Sequence, residues 1–167
     1  MNIFIRVRTD KQIENVAKLA NIIWKEYFTT MIEKEIVDYM LKKIQSKKAI
    51  SNQIRDGYQY YLIKPSKYFI GYFAIIHKIE INEIILSKLY ILNSERGKGL
   101  GNAAMKFIDN IAHQKNCKKI SLTVFNKNIK AIKTYEKNGF KKTGSLFRDI
   151  GNNIILHDLS MEKVLIN

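Results

Sequence analysis

Between Ile84 and Gly101 the chain constrains its fold more tightly than anywhere else. The run Ile84-Ile85-Leu86-Ser87-Lys88-Leu89-Tyr90-Ile91-Leu92 is rich in β-branched and aromatic side chains and reads as a strand. Arg96-Gly97-Lys98-Gly99-Leu100-Gly101 follows, and then apolar residues at Ala104, Phe107, Ile108 and Ile111 with helical spacing. Ile120-Ser121-Leu122-Thr123-Val124 reads as the next short strand. Strands joined through a helix in this way can lie parallel in one sheet.

The rest of the chain supplies covers and further strands. From Asp10 to about Tyr27, apolar groups at Ile13, Val16, Ala17, Ala20, Ile23, Trp24 and Tyr27 make one helical face, with Asp10 placed to cap the start. A similar pattern at Ile32, Ile36, Tyr39, Met40 and Ile44 continues toward Ile50 and Ile54, predicting two helical pieces before Asp56-Gly57. Tyr58–Ile63 and Tyr68–Ile76 then read as a hairpin around Lys64-Pro65-Ser66-Lys67. A helix from about Asn128 to Lys137 stops at Asn138-Gly139, and strand character returns from Phe140 through Ile154–Leu156 and Leu159–Glu162. The expectation is an α/β (α+β) fold with a mixed central sheet of six to seven strands flanked by helices, antiparallel in its first half. Residues 1–167 are expected to form a single domain, since the length suits one core and neither repeats nor Gly/Ser-rich linkers occur.

Composition narrows the chemistry. One cysteine, Cys117, and three scattered histidines, His77, His113 and His157, argue against a disulfide or a structural metal. Lys115, Lys118 and Lys119 near Cys117 would depress a thiol pKa, although a connector thiol without a role is the plainer reading. Charge enters the N-terminus too early for a signal peptide, and no apolar run approaches the ~20 residues that span a bilayer, so a cytoplasmic protein with no membrane contact is expected. The net charge of +14 suggests an anionic ligand, or reflects a general bias toward lysine. Helix-turn-helix, zinc-finger and RNA-binding signatures are absent, which argues against a nucleic-acid partner.

Glycines at 97, 99 and 101 let backbone N–H groups approach a ligand closely, and the following helix directs its positive dipole end at the same place. With Arg96 and Lys98 nearby, the fit is to the pyrophosphate of a nucleotide-like cofactor. Neither a Walker loop nor a Gly-x-Gly-x-x-Gly fingerprint is present. The motif Arg96-x-x-Gly99-x-Gly101 resembles the Arg/Gln-x-x-Gly-x-Gly/Ala signature of the GNAT acetyltransferases. A second stretch, Asn128-x-x-Ala131-x-x-x-Tyr135-Glu136-Lys137-Asn138-Gly139-Phe140, is similar to that family's Asn-x-x-Ala…Tyr-Glu-Lys-x-Gly-Phe signature. Read by itself, it sets Asn128, Ala131, Ile132 and Tyr135 on one helical face.

The resemblance implies an N-acetyltransferase that uses acetyl-coenzyme A (acetyl-CoA). It assigns cofactor contacts to Leu89, Tyr90, Ile91, Arg96, Gly97, Lys98, Gly99, Leu100, Gly101, Asn128 and Lys137, and catalysis to Tyr135. In this pattern Leu89–Ile91 presents backbone N–H groups to the acetyl oxygen and the pantetheine, Asn128 bonds the pantetheine, and Tyr135 supplies a proton to the departing thiolate. Chemically, a phenol with pKa ~10 beside a thiolate whose parent thiol sits near ~8.5 can share that proton. The base that frees the amine is not identified; Glu83, Glu26 and Glu33 are candidates. Trp24-x-x-Tyr27-Phe28, Tyr39-Met40-Leu41, Asp149-Ile150-Gly151-Asn152 and His157-Asp158 resemble the bacterial polyamine branch, implying spermidine or spermine as the acceptor; so basic a chain would host a polycation only if Asp149, Asp158 and nearby carboxylates made a local acidic groove. Acetylation of a protein or peptide amine, or a non-catalytic role in binding coenzyme A or nucleic acid, are the alternatives. A homodimer through the C-terminal strands is also consistent with the resemblance.

Overall fold

The structure, a computed structural model, describes residues 3–165. The elements run β1 (Phe4–Arg6), α1 (Asp10–Phe28), α2 (Lys34–Ile44), α3 (Lys47–Arg55), β2 (Gln59–Ile63), β3 (Gly71–Lys78) and β4 (Glu83–Ile91). They continue through α4 (Leu100–Gln114), β5 (Lys119–Phe125), α5 (Ile129–Lys137), β6 (Lys141–Gly151) and β7 (Ile154–Val164). Among the described residues the strands form one seven-stranded sheet in the order β1-β2-β3-β4-β5-β7-β6. The mixed sheet and the element order agree with the sequence reading. No helix among the described residues is long and apolar enough to cross a membrane.

The chain divides into two compact units. One takes the residues up to Ile76 together with Lys88–Ala104; the other takes His77–Ser87 and the residues from Met105 on. In the first unit β1, β2 and β3 pair antiparallel, with Phe4 opposite Ile63 and Tyr61 opposite Phe73. Helix α1 buries Ile13, Val16, Leu19, Ala20, Ile23, Trp24 and Phe28. Its cap is Thr9 rather than Asp10: the Thr9 hydroxyl accepts from Gln12 N–H while the Gln12 side chain accepts from Thr9 N–H, a capping box that satisfies both ends of the first turn. Strand β3 begins at Gly71, later than the expected Tyr68, because Pro65 and the Ser66-Lys67 turn delay pairing until Ile63 meets Gly71.

In the second unit β4 and β5 pair parallel from Glu83 opposite Lys119 to Ile85 opposite Ser121, as a crossover through a helix allows. Strand β7 pairs antiparallel with both β5 and β6. The β6–β7 hairpin turns at Asn152-Asn153, whose positive φ values of 53° and 57° suit a tight hairpin turn. Met105, Ile108, Ala112, Ile120, Leu122 and Met161 are buried in this unit. Cys117 is buried as well, and burial pushes its thiol pKa up despite Lys115, which corrects the idea of an activated thiol.

Candidate active site

The first unit carries the end of β4, the glycine loop and the start of α4, and so brings Leu89, Tyr90, Ile91, Arg96, Gly97, Lys98, Gly99, Leu100 and Gly101 onto one continuous segment. Gly97 and Gly99 adopt φ of +78° and +79°, a region open to glycine at little cost, and a Cβ at either would meet nothing within 4 Å. The loop therefore needs glycine for its backbone path and has open space beside it. The first helical bond of α4 runs from Ala103 N–H to the Gly99 carbonyl at 3.0 Å. Backbone N–H groups in the first turn of a helix generally lack an acceptor within it, the usual origin of an anion site at a helix start.

Arg96 is held from several sides. Its Nε donates to the Ile91 carbonyl at 2.9 Å, Nη1 lies 3.4 Å from Asn93 Oδ1, and the guanidinium sits 4.5 Å from the centre of the Tyr27 ring. Arg96 thus ties the end of β4 to the loop and to α1. Lys98 pairs with Glu95 at 2.9 Å on the surface. Gly71 is a further requirement that the sequence reading missed: a Cβ there would collide with the Tyr90 carbonyl oxygen and approach Ile91 Cα at 3.1 Å. A glycine inside a strand pattern was the available signal for such a close backbone approach.

Tyr90 lies in an aromatic cluster, 5.3 Å from Trp24, 5.6 Å from Tyr72 and 5.9 Å from Phe28 between ring centres. Beneath it runs a buried polar chain. Trp24 Nε1 donates to Tyr72 Oη at 3.1 Å, Tyr72 to Gln45 Oε1 at 2.6 Å, Gln45 Nε2 to Tyr60 Oη at 3.2 Å, and Tyr60 to Gln53 Oε1 at 2.7 Å. Lys88 Nζ donates to Gln53 Oε1 as well, at 3.0 Å, and lies over the rings of Tyr58 and Tyr60. Burial drives the phenol pKa values of Tyr60 and Tyr72 far above the ordinary range, so both remain proton donors in this chain. A cavity of about 330 Å³ between α1 and α2 is lined by Asn21, Lys25, Asp38, Leu41 and Gln45 among others, and shares no residue with the glycine loop.

The second unit carries Asn128, Tyr135 and Lys137. Asn128 caps α5, its side chain accepting from Ala131 N–H at 3.3 Å, and it is buried. Asn128 and Ile132 are buried, with Ala131 and Tyr135 half-buried, which is the shared face expected from their spacing. Tyr135 packs edge-on against Phe140 at 5.8 Å, and Lys137 is exposed.

The candidate bases fare unequally. Glu83 is buried, bonded by the Ser121 hydroxyl and 3.5 Å from Lys119 Nζ, an arrangement that ties β4 to β5. Glu26 and Glu33 are exposed on the helical region. The expected acidic groove does not form from Asp149 and Asp158. Asp158 is buried and bonded by Arg148 Nε at 2.8 Å, whereas strand alternation puts the exposed Asp149 on the other face of the hairpin.

These features match a known family. The model of the acetyltransferase (GNAT) family matches residues 16–140. The chain belongs to the GNAT acetyltransferase family. It is 39% identical over 62 residues to the spermine/spermidine N(1)-acetyltransferase of Bacillus subtilis (strain 168), a match covering 36% of this chain and 41% of that relative. The chain thus aligns with well under half the length of this curated relative. Among solved structures, PaiA N-acetyltransferase from Thermoplasma acidophilum in complex with coenzyme A superposes with a TM-score of 0.78 at 20% identity, over 99% of this chain and 100% of that one. Ribosomal-protein-alanine N-acetyltransferase from Brucella melitensis gives 0.67 at 18% identity, over 98% and 100%. At these identities the likeness is one of fold, and the fold is that of the GNAT family.

Proposed function

We propose that the chain, acting as one catalytic domain in the cytoplasm, transfers acetyl from acetyl-CoA to a primary amine, with a polyamine such as spermidine or spermine as acceptor. The observation that carries this reading is the glycine loop: two left-handed glycines, a helix start and a braced arginine are what a pyrophosphate requires. The family resemblance gives residues 96–101 to the cofactor's phosphates, Leu89–Ile91 and Asn128 to its pantetheine arm, and Lys137 to a further cofactor contact. The amine attacks the thioester carbon directly, so that proximity and alignment do most of the work. Tyr135 then supplies the proton that the departing sulfur takes up.

The polyamine assignment is supported by the Bacillus subtilis relative, which is named for spermine and spermidine. A second reading, acetylation of a peptide or protein amine, is favoured by the Arg148–Asp158 pair, which neutralises the buried carboxylate that a polycation would seek. A homodimer through β6 and β7 belongs to the same proposal, supported by the exposed Phe147 and Ile155. The test is thiol release from acetyl-CoA. Release that depends on spermidine supports the polyamine reading; release with an alanine-terminated peptide but not with spermidine replaces it by the second.

A further inference from the structure

The sequence resemblance ties Trp24-x-x-Tyr27-Phe28 to the choice of acceptor, yet in the fold these three side chains pack on the end of β4 and the residue that opens the glycine loop. Spaced i, i+3 and i+4, they share one face of α1. Trp24 and Phe28 are buried, with ring centres 5.3 and 5.9 Å from that of Tyr90 and planes edge-on to it at 61° and 74°. Tyr27 is half-buried, and the guanidinium carbon of Arg96 lies over its ring, 4.5 Å from the centre.

These contacts hold a group in place and leave its donors for another partner. A guanidinium donates within its own plane, so a ring beneath its face steadies it without using its N–H groups. Arg96 Nε donates to the Ile91 carbonyl at 2.9 Å, and Nη1 lies 3.4 Å from Asn93 Oδ1. Both acceptors lie just before the glycine loop, so ring and acceptors together fix the direction of the guanidinium. The adjacent carboxylate, Glu95, pairs with Lys98 at 2.9 Å instead. Burial pushes the Tyr27 phenol pKa up against the pull of Arg96, so the cation rests on a neutral ring. Gly71 of β3 lies so close to the Tyr90 carbonyl that a Cβ would not fit there. The end of β4 is thus held by α1 through side chains and by β3 through backbone.

We propose that Tyr27 is a positioning residue for the cofactor and not a contact for the acceptor: its ring seats the Arg96 guanidinium for the pyrophosphate, and the Trp24-x-x-Tyr27-Phe28 face of α1 sets acetyl-CoA affinity. This rests on the acetyl-CoA reading above. Tyr27 acts through Arg96, so removing its ring weakens ligands that carry a pyrophosphate and spares those that do not.

The test compares the wild type with Y27L, Y27M and Y27F by calorimetric titration with acetyl-CoA. Turnover is then followed with acetyl-CoA and with S-acetylpantetheine, a donor with the same thioester and no pyrophosphate. The acceptor is whichever of spermidine and an alanine-terminated peptide supports thiol release by the wild type. Y27L and Y27M remove the ring but keep an apolar side chain at a half-buried site, and should weaken acetyl-CoA binding by about 2- to 30-fold, the range of a cation–π contact. Y27F keeps the ring and should restore the affinity. Turnover of S-acetylpantetheine and the KM of the acceptor should not follow the loss, whereas general damage to the fold would lower both donors alike. In an R96Q background, Y27L should add no further loss. Unchanged acetyl-CoA affinity in the folded ringless variants, an equal loss with S-acetylpantetheine, or an acceptor KM that rises while acetyl-CoA affinity holds overturns the inference and leaves the cofactor reading standing. Wild-type protein that does not bind acetyl-CoA removes the cofactor reading, and the inference with it.

Discussion

Arg96 shows how far the partners of a side chain decide its work. Its sequence context suggests a cation for pyrophosphate, and the Nε bond to the Ile91 carbonyl and the Tyr27 ring 4.5 Å from its guanidinium brace that cation at the loop. Tyr135 stands differently, half-buried on the α5 face with Asn128. If its hydroxyl protonates the leaving thiolate, Tyr135→Phe should leave acetyl-CoA affinity unchanged and lower kcat by roughly 100-fold or more. Steady-state kinetics beside a binding titration would show this, and undiminished kcat would remove the role. At this scale the motif residues were legible because their spacing is local. The Arg96–Tyr27 contact and the need for glycine at Gly71 were not, since each depends on residues far apart along the chain.

The elements were legible wherever period and punctuation agreed. Helix α5 runs from the Asn128 cap to Asn138-Gly139, and the crossover strand, loop and helix fell where expected, because turn residues bound them in sequence. What periodicity could not convey is the polar chain from Trp24 to Lys88, which joins α1, α2, α3, β2, β3 and β4. Each residue in it reads in isolation as ordinary core or surface. Tyr72→Phe should strand Trp24 Nε1 and Gln45 Oε1, at a cost on the order of 1–3 kcal/mol for each group left unpaired. The same chain sets a pH limit. Tyr60 and Tyr72 have raised pKa values when folded, so the unfolded chain loses their protons first, near pH ~10. Their contribution is complete below that pH and declines as pH rises above it. Chemical denaturation should therefore show stability falling steeply above about pH 10, less so in Tyr72→Phe; equal slopes in both proteins would contradict the account.

For the molecule as a whole, the excess of 29 lysines and arginines over 15 aspartates and glutamates favours anionic ligands by long-range attraction, without selecting one. Selection must come from built geometry, and the loop around Gly97 and Gly99 is the built feature that suits a phosphate. Calorimetric titration with acetyl-CoA therefore tests the central claim most directly, using the wild type, Gly99→Val and Gly101→Ala. A Cβ at Gly101 would lie 3.9 Å from Ile91 Cδ1, an ordinary contact, so Gly101→Ala should fold at least as well as wild type. The account predicts saturable wild-type binding, retained by Gly101→Ala without loss of Tm and abolished by Gly99→Val, whose φ of +79° suits glycine. Absence of wild-type binding, or wild-type affinity in a folded Gly99→Val, would contradict it.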